Sequence, residues 1–499
     1  MNKKEAFEKL AEIDRKVTLI NHICAVLGWD FETTISPKGG EERGAQLAYL
    51  EESTHDLLTS KQMDEIFSVI NSRTPGFDDR EHAIIRIMEK SWKDSRNVPS
   101  SLVAALAKAT SAASDHWFEA RQKNDFESYR PYLQTVFDLV KEEAQCLSKD
   151  GKSPYDALLD QFEPRMDSKR ITSLFDSMEN TIHKVMSMVE GRQVDDSFLL
   201  LKYPQKTQER FDKGIVRNMG FDFNRGVLGI SHHPFTSTLG ADDIRITSRF
   251  SDARVTDPIF SYIHEAGHAL YEMGASNRKT SGTCLAQGTS MAFHESQSRL
   301  WENVFGHSPS FWKYYFPKFR NAYKKQTDGI DFEHFIKALN KVQPSDIRVN
   351  ADEVTYGLHI ILRFRLEKEL FNGGITVAEL PDAWNQLSME LLGHKPSSDS
   401  MGVLQDNHWA SGMFGYFPSY ALGNLINSQL YYKMRNDIDV DDLLASGKLK
   451  KIKTYLNDRI YRYGAIYESD VLLKMITGES LDEKYFDRYL TEKYSELFR

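Results

Sequence analysis

The chain has 499 residues, 40% of them hydrophobic, so it can bury a sizeable core and is not a disordered chain. Its 63 Lys and Arg residues against 72 Asp and Glu residues give a net charge of −9, which argues against nucleic acid as a general partner. Three well-separated cysteines exclude a disulfide framework, and the charged N-terminus MNKKEAFEKL is unlike a secretion signal. We therefore expect a cytoplasmic protein without a membrane span.

An apolar stripe near the N-terminus predicts the first helix. Its members recur at alternating steps of three and four residues: Leu10, Ile13, Val17, Ile20, Cys24 and Leu27. The stripe is shorter than three heptads, so it predicts a helix packed on a core rather than a coiled coil. We expect this helix to end near Gly28 and Trp29.

The pattern stays helical from about residue 41 to residue 200, where apolar residues at helical spacing stand among many Glu, Lys, Gln and Ala residues. The predicted helices in this part include segments 80–94, 100–123, 128–150 and 168–190. The part from 310 to 499 also predicts helices, separated by turns near 372–374, 394–396 and 417–418.

Between these two helical parts the composition changes. Residues 226–250 are rich in Gly, Thr and β-branched residues, and Ile244 and Ile246 alternate with Arg245 and Thr247 at a period of two. This pattern predicts a small antiparallel sheet, followed by a further helix. A sheet edge near a functional site would let an extended peptide bind as an added strand.

The most informative segment is HEAGH, residues His264 to His268, which lies in that further helix. Residues i and i+4 lie on one face of a helix, so both imidazoles can bind the same metal ion. Glu265 stands beside the first histidine, where it can take a proton from a metal-activated water. The apolar residues on either side predict that the histidines are buried with partners rather than solvated. The spacing therefore predicts a centre for metal-assisted hydrolysis.

Two histidines do not complete a catalytic zinc site, which usually has three protein ligands. A third histidine six residues after the second is excluded, because Gly274 occupies that position. The downstream segment SMAFHESQSRLWENVFG offers His294 and Glu295. We predict Glu295 as the third ligand. His294 is the alternative ligand, and it could instead contact the substrate or orient a ligand.

Several further segments show that the chain resembles the carboxypeptidase Taq family of zinc metallocarboxypeptidases. The two around the metal site are YIHEAGHALYE and FHESQSRLWEN. The others are WDFET from Trp29, HPF from His233, DIRIT from Asp243, IRVNAD from Ile347, GVLQDNHW from Gly402, GYFPSYALGN from Gly415 and TGESLDEKYFDRYLTEKY from Thr477. The resemblance covers the chain from Trp29 to the last predicted helix.

This resemblance implies a mainly α, gluzincin-like (neurolysin-like) fold, with two helical lobes around a deep groove and a small antiparallel β-sheet beside the HEXXH helix. It implies one domain, residues 1–499, with a helical lobe at 1–220, the sheet at 221–260 and a catalytic helical lobe at 261–499. The implied activity is release of single amino acids from peptide C-termini. It also implies a homodimer and one zinc ion per chain, which cobalt could replace.

Two other activities stay open at this point. A zinc oligopeptidase of related fold would cut internal bonds with the same chemistry, so HEAGH does not discriminate between them. A binding protein with a structural metal site is a further alternative, but a structural site has no use for Glu265.

The family's functional residues fall on matching positions of this chain. Its zinc ligands correspond to His264, His268 and Glu295, and its general base corresponds to Glu265. Arg348, in IRVNAD, is the counterpart of a residue that binds the substrate's terminal carboxylate, for which the planar guanidinium is suited. The alternative for Arg348 is a structural salt bridge to a nearby acid, Asp346 or Asp352.

Four more residues receive roles from the resemblance. Tyr420 and His408 are predicted to donate to the oxyanion or to the substrate carboxylate. His233 and Arg245 are predicted to bind the substrate backbone. Apart from the resemblance, His294 is predicted as a substrate contact because it is a neutral group next to the third ligand. The alternative for Arg245 is pairing with local acids.

Overall fold

The computed structural model describes residues 1–148, 151–231, 233–250 and 254–499. Most of them lie in α-helices, as predicted. In chain order these are α1 (Lys3–Thr33), α2 (Gly40–Leu58), α3 (Lys61–Phe67), α4 (Asp79–Asn97), α5 (Ser100–Lys123), α6 (Phe126–Leu147), α7 (Pro154–Phe162), α8 (Ser168–Val189), α9 (Gln205–Met219), α10 (Thr256–Ala275), α11 (Met291–Arg299), α12 (Pro309–Ala322), α13 (Phe332–Leu339), α14 (Tyr356–Asn372), α15 (Leu380–Leu392), α16 (Pro418–Asp437), α17 (Val440–Ala445), α18 (Leu449–Arg459), α19 (Ser469–Thr477) and α20 (Lys484–Leu497).

Shorter elements connect these helices. The strands are β1 (Gly226–Ile230), β2 (Thr236–Gly240) and β3 (Asp243–Ser248). Single 3₁₀ turns are found at Ser197–Leu200, Arg348–Asn350, Val377–Glu379 and Tyr461–Tyr463, and a π-helix at Leu300–Gly306 continues directly from α11.

The helices predicted between residues 80 and 190 agree with α4, α5, α6 and α8; positions 149 and 150 of the predicted 128–150 segment lie outside the described residues. The predicted end of the first helix is wrong, because α1 continues to Thr33. A glycine inside a helix costs only about 1 kcal/mol, so Gly28 does not stop it. Trp29 is 9% exposed and packs on Phe235 with ring centroids 5.3 Å apart, and this contact stabilises the extra turn.

The sheet is mixed, so the prediction of an antiparallel sheet is wrong for one of its two pairings. The strand order is β1-β3-β2, with β1 parallel and β2 antiparallel to the central β3. The register aligns Gly226 with Ile244 and Thr236 with Ile246. Alternation along a strand indicates which side chains share a face, but it carries no information on which strand is the neighbour.

The described chain consists of two compact units, each made of three segments that are separate in sequence. Unit 1 comprises residues 1–96, 194–339 and 426–481, and unit 2 comprises residues 97–193, 340–425 and 482–499. Helix α16 includes residues of both. The lobe boundaries predicted at residues 220 and 260 stay predictions. No helix in the described part of the chain combines the length and the apolar character that a membrane span needs.

Unit 1 has α10 at its centre. Fifteen of the twenty residues of α10 are buried, and the sheet, α9, α11 and the π-helix all pack against it. A helix that is apolar on all sides is typical of a protein interior, so its few polar side chains need partners. A further apolar core joins α1, α3 and α4 around Leu10, Ile66 and Ile85.

Unit 2 has an aromatic core around α14. The rings of Phe137 and Tyr155 lie 5.2 Å and 5.3 Å from that of Phe371. Glu367 is fully buried beside them and accepts hydrogen bonds from the Tyr155 hydroxyl at 2.9 Å and Trp409 Nε1 at 2.8 Å. Burial raises the pKa of Glu367 to about 7, against the effect of these donors. The contact with Trp409 attaches the loop before α16 to α14.

Candidate metal centre

Helix α10 presents the two histidines of HEAGH on one face. The side chains of His264 and His268 are 18% and 15% exposed, and their ring centroids lie 4.9 Å apart. Glu265 is 7% exposed. The side chains are therefore buried enough to need defined partners yet accessible enough to receive a small ligand.

Helix α11 brings Glu295 to the same place. Ser290 caps its N-terminus, where the Ser290 hydroxyl accepts a hydrogen bond from the Phe293 N–H at 3.1 Å. Gly267 lets α11 approach α10 closely, because a Cβ at this position would lie 2.7 Å from Cα of Ser298. Any larger residue would push the two backbones apart, so the glycine of HEAGH determines how near Glu295 comes to the histidines.

His264, His268 and Glu295 form the group with metal-ligand potential among the described residues, with their ligand atoms all within 4.8 Å of one another. Nε2 of His264 lies 3.7 Å from Oε2 of Glu295, and Nε2 of His268 lies 3.3 Å from the same oxygen. The structure thus brings the three predicted ligands together, and each of them offers one ligand atom.

The remaining atoms of these ligands have other partners. Nδ1 of His264 lies 2.7 Å from Oε2 of Glu302, and a carboxylate accepts, so Nδ1 carries the proton and Nε2 its lone pair. Arg299 donates from Nε to Oε1 of Glu295 at 2.7 Å, leaving Oε2 on the histidine side. Two imidazole nitrogens and one carboxylate oxygen fit zinc and other divalent first-row metal ions.

Charges around the ligands are strongly coupled. Burial alone would lower the pKa of His264, but the carboxylates of Glu295 and Glu302 raise it to about 9. Burial lowers the pKa of His268 to about 3. Burial opposes ionisation of Glu295, yet His264 and Arg299 hold its pKa well below the usual range. The ionised Glu295 and the neutral His268 are thus in the states that bind a divalent cation, whereas His264 has to release its Nε2 proton when a cation binds.

Glu265 is held by strand β2. The hydroxyl of Thr236 donates to Oε2 of Glu265 at 2.5 Å, and it lies 3.1 Å from the Glu265 carbonyl oxygen. Burial raises the pKa of Glu265, while His264 and the Thr236 hydroxyl oppose that rise. A buried carboxylate with a raised pKa is a better proton acceptor than an exposed one, and it can return the proton to a leaving group.

His294 lies on the other side of His268 from Glu295. Its Nδ1 is 2.5 Å from Nδ1 of His268, and its Nε2 is 2.8 Å from Oε1 of Glu272. Both ring nitrogens are therefore in contact with protein groups. The predicted contact between His294 and the substrate stays a prediction.

Arg348 lies in unit 2 and is 7% exposed. It contacts neither of the acids considered from the sequence but binds Asp406, donating from Nε at 3.2 Å and from Nη2 at 2.8 Å to Oδ1. Arg363 is fully buried and donates to Oδ2 of the same carboxylate from Nη2 at 2.5 Å. Among the described residues, Asp406 is the only acid paired with either guanidinium.

The acids considered as partners of Arg348 have other roles. Asp346 lies 2.8 Å from Nε2 of His394. Asp352 accepts the backbone N–H groups of Val354 at 2.9 Å and Thr355 at 3.1 Å, just before α14.

His408 and Tyr420 come together in unit 2, with Nε2 of His408 3.1 Å from the Tyr420 hydroxyl. The guanidinium carbon of Arg348 lies 5.1 Å from the centre of the Tyr420 ring, within the range of a cation–π contact. Burial lowers the pKa of His408 to about 3, so its imidazole is neutral near pH 7. The structure therefore groups three of the predicted substrate-contacting residues.

The two residues predicted on the sheet differ in their surroundings. Arg245 pairs with Asp243, donating from Nε at 2.8 Å and from Nη2 at 2.7 Å, as the alternative from the sequence expected. Its guanidinium carbon also lies 5.5 Å from the centre of the Trp29 ring. His233 is exposed, and its carbonyl oxygen accepts from the Ser231 hydroxyl at 2.6 Å. Their roles toward substrate stay predictions.

Sequence reasoning missed the polar side chains that contact the predicted site residues: Thr236, Glu272, Arg299, Glu302 and Asp406. Arg299 and Glu302 follow Glu295 by four and seven residues, which is helical spacing. Glu272 follows His268 by four residues in the same way. Thr236 and Asp406 had no such signal, because their contacts join elements that are distant in sequence.

Hydrolysis of a stable amide bond at neutral pH needs an activated water and a nearby base. Two histidines and one glutamate would hold the metal ion that activates the water, and a second glutamate would be the base. This combination on a buried helix is typical of the metallopeptidases. Comparison with known proteins agrees, because residues 9–494 match the profile of the family described as "Carboxypeptidase Taq (M32) metallopeptidase". The chain belongs to this family.

The similarity extends over whole chains. The chain is 35% identical to Carboxypeptidase 1 of Bacillus subtilis over 500 residues, covering 99% of this chain and 98% of the relative. It is also 35% identical to Thermostable carboxypeptidase 1 of Thermus thermophilus over 511 residues, covering all of both chains. The crystal structure of an M32 carboxypeptidase from Deinococcus radiodurans superposes with a TM-score of 0.94 at 31% identity, covering 99% of each chain.

The protein is accordingly a metallocarboxypeptidase, and the mainly α fold expected from the sequence is confirmed. The family membership favours this activity over the internal cleavage of an oligopeptidase, the alternative left open by HEAGH alone.

Proposed function

We propose that this metallocarboxypeptidase uses zinc, bound by Nε2 of His264, Nε2 of His268 and Oε2 of Glu295. The observation that carries the proposal is the convergence of these three atoms within 4.8 Å while the other polar atoms of the ligands are occupied. When bound, zinc lowers the pKa of a water and polarises the scissile carbonyl. Cobalt accepts the same donor set and could substitute.

Glu265 is the proposed general base. Its carboxylate takes a proton from the attacking water and afterwards gives that proton to the leaving amine. The proposal is supported by its burial and by the Thr236 hydroxyl, which fixes one carboxylate oxygen and leaves the other for the water.

Arg348 is the proposed contact for the terminal carboxylate of the peptide. The support is electrostatic, because two guanidiniums share the one carboxylate of Asp406 and leave a buried excess of positive charge. A buried charge without a counter-charge is costly, so a substrate anion would be attracted there. The planar fork of arginine also suits two carboxylate oxygens.

Tyr420 and His408 are the proposed further donors for the oxyanion or the terminal carboxylate. A phenol hydroxyl next to a neutral imidazole can donate without adding charge. His233 and Arg245 keep their predicted substrate contacts as proposals. The predicted substrate contact of His294 is not kept, because both of its ring nitrogens contact protein groups.

We further propose a cytoplasmic homodimer that acts on peptides and does not bind nucleic acid. The cytoplasmic location is supported by the three cysteines, which are all free. The absence of nucleic-acid binding is supported by the net charge of −9. Light scattering of the purified protein measures the oligomeric state directly.

The activity is tested with paired peptides that differ only in a free or an amidated C-terminus. We expect a ladder of single-residue losses from the free acid, none from the amide, loss of activity with a chelator and recovery with zinc. Glu265→Gln is expected to lower kcat about 10²–10⁴-fold while the protein still binds zinc. Equal cleavage of acid and amide, or a fully active Glu265→Gln protein, would contradict the proposal.

A further inference from the structure

A chain of polar contacts extends from His268 into the interior of unit 1. Nδ1 of His268 lies 2.5 Å from Nδ1 of His294, and Nε2 of His294 lies 2.8 Å from Oε1 of Glu272. The chain ends at Glu272, which is 5% exposed. None of these contacts is used by the mechanism proposed above, although the first of them is made by a metal ligand.

The hydrogen bonds of Glu272 determine where the protons are in this chain. Its carboxylate accepts the Gly288 N–H at 3.0 Å and the Thr238 hydroxyl at 3.0 Å, and it can only accept from His294 as well. Nε2 of His294 therefore carries a proton. Nε2 of His268 faces Oε2 of Glu295 and can bind a metal ion only through its lone pair, so Nδ1 of His268 carries the proton of that ring. In the metal-binding state Nδ1 of His268 therefore donates and Nδ1 of His294 accepts.

This proton position affects the other nitrogen of the His268 ring, Nε2. With its proton on Nδ1, His268 has its lone pair on Nε2, the atom that lies 3.3 Å from Oε2 of Glu295. The other ligand, His264, reaches the same tautomer directly through Glu302. Both ligand imidazoles therefore have the same tautomer. His264 contacts a carboxylate directly, whereas His268 is linked to one through the imidazole of His294.

We propose that Glu272 and His294 are positioning residues that fix the tautomer and orientation of His268 and so strengthen metal binding. A carboxylate behind a ligating imidazole makes that imidazole a better donor and restricts its rotation. The proposal rests on the ligand set in the proposed function. It replaces a substrate contact for His294 with a role exerted entirely through His268.

The packing around His294 supports a fixed ring. A Cβ at Gly288 would lie 2.7 Å from Cδ2 of His294 and 3.0 Å from Cε1 of Tyr271. Because both nitrogens of the ring are hydrogen-bonded, His294 cannot move aside without losing one of these contacts. Gly288→Ala should therefore displace the His294 ring without replacing any of the polar side chains that link His268 to Glu272.

The test is the zinc affinity of the full chain, measured by competition with a chromophoric chelator. Glu272→Gln and His294→Gln are each expected to weaken zinc binding about 10- to 100-fold, and Gly288→Ala to weaken it in the same direction. Because both residues act through His268, the double variant E272Q/H294Q is expected to bind no more weakly than H294Q alone. Wild-type affinity in both single variants, or additive losses in the double variant, would overturn the proposal.

Three controls separate this proposal from the proposed function. His268→Ala removes a ligand and should abolish stoichiometric zinc binding; wild-type binding there would overturn the ligand set itself. His183→Gln removes a half-buried imidazole of unit 2 that lies 3.1 Å from the Leu391 carbonyl, and it should leave zinc affinity unchanged. If His294→Gln loses zinc as completely as His268→Ala while Glu295→Gln retains it, His294 is itself a ligand and the proposed positioning role is wrong.

Protein folding is monitored through the melting temperature of the metal-free variants. Should Glu272→Gln not fold, Thr238→Val removes one donor to Glu272 with almost no change in shape, and a several-fold loss of zinc affinity is expected. Unchanged zinc affinity in a folded Thr238→Val protein, together with unchanged zinc affinity in His294→Gln, would contradict the proposed positioning of His268.

Discussion

Arg348 illustrates how single side chains in this protein are buried with only part of their charge compensated. Three of its N–H groups are engaged, two by Asp406 and one by the Tyr356 hydroxyl at 3.1 Å. Burial opposes ionisation of Asp406, yet Arg348 and Arg363 hold its pKa well below the usual range. Arg348, Arg363 and Asp406 therefore all stay charged at any pH at which a peptidase works. Together they carry one excess positive charge, which can attract an anionic ligand.

Replacement of Arg348 by alanine should therefore raise KM for free-acid peptides and lower kcat/KM about 10- to 100-fold. Arg348→Lys keeps the charge but loses the planar fork, so only partial recovery is expected. The matched control is Arg365→Ala, which removes an arginine of α14 that is paired with Glu179 at 2.5 Å. Steady-state kinetics decide the matter, and equal KM values for Arg348→Ala and the wild type would count against the substrate contact.

At the scale of elements, strand β2 is attached to helix α10 by a pair of threonines. Thr236 and Thr238 lie two residues apart on one face of the strand, and they contact Glu265 and Glu272, which lie seven residues apart on one face of the helix. The period of the strand and the period of the helix thus match over two contacts. One contact holds the proposed base, and the other holds the carboxylate behind His268.

Thr236→Val should leave the strand intact but remove the donor to Glu265. Because the base loses a charge-assisted hydrogen bond, we expect kcat to fall about 10-fold with KM and zinc content little changed. Ser237→Ala is the control, since Ser237 belongs to the opposite face of β2. A kcat equal to the wild type in Thr236→Val would show that the hydroxyl does not position the base.

At the scale of the whole molecule, acid stability depends on histidines that the fold keeps neutral. His359 in α14 is 1% exposed, and burial together with the charge of Arg363 lowers its pKa to about 3. Below pH 6.5 the unfolded chain takes up a proton on this residue that the folded protein does not. The free energy of unfolding therefore falls as the pH falls from 6.5 towards 3.

By pH 5 this residue alone should cost about 2 kcal/mol relative to pH 7.5, equivalent to a few degrees in melting temperature. His359→Phe removes the titrating group at nearly constant volume, so its melting temperature should fall less on acidification. The control is Leu362→Met, a nearly volume-conserving change at a buried position of the same helix that removes no titrating group, so it should leave the pH dependence unchanged. Parallel curves for the wild type and His359→Phe would contradict the prediction.

Much of the fold was predictable because helices are local. Helix spacing identified α4, α5, α6 and α8, whose apolar stripes depend on residues three and four apart. The end of α1 and the pairing of β1 were not predictable in this way. Both depend on contacts with elements that follow much later in the chain, such as Trp29 with Phe235.

The candidate metal centre divides along the same line. The HEAGH spacing predicted two ligands and a base, and the downstream HESQ segment predicted Glu295, all from residues on two helices. The partner of Arg348 was not predictable, because Asp406 follows it by 58 residues and competes with nearer acids. Glu302, the partner of His264, follows Glu295 at helical spacing and could have been predicted from the sequence, but it was not.

The kind of chemistry and the class of fold could be inferred from residue types at local spacing and from motifs that the family shares. The folded structure was needed to identify the acid that pairs with Arg348, the strand that holds Glu265 and the imidazole that contacts His268. Such contacts join residues far apart in sequence, and their energies depend on burial and on hydrogen-bond geometry that a pattern of letters does not contain.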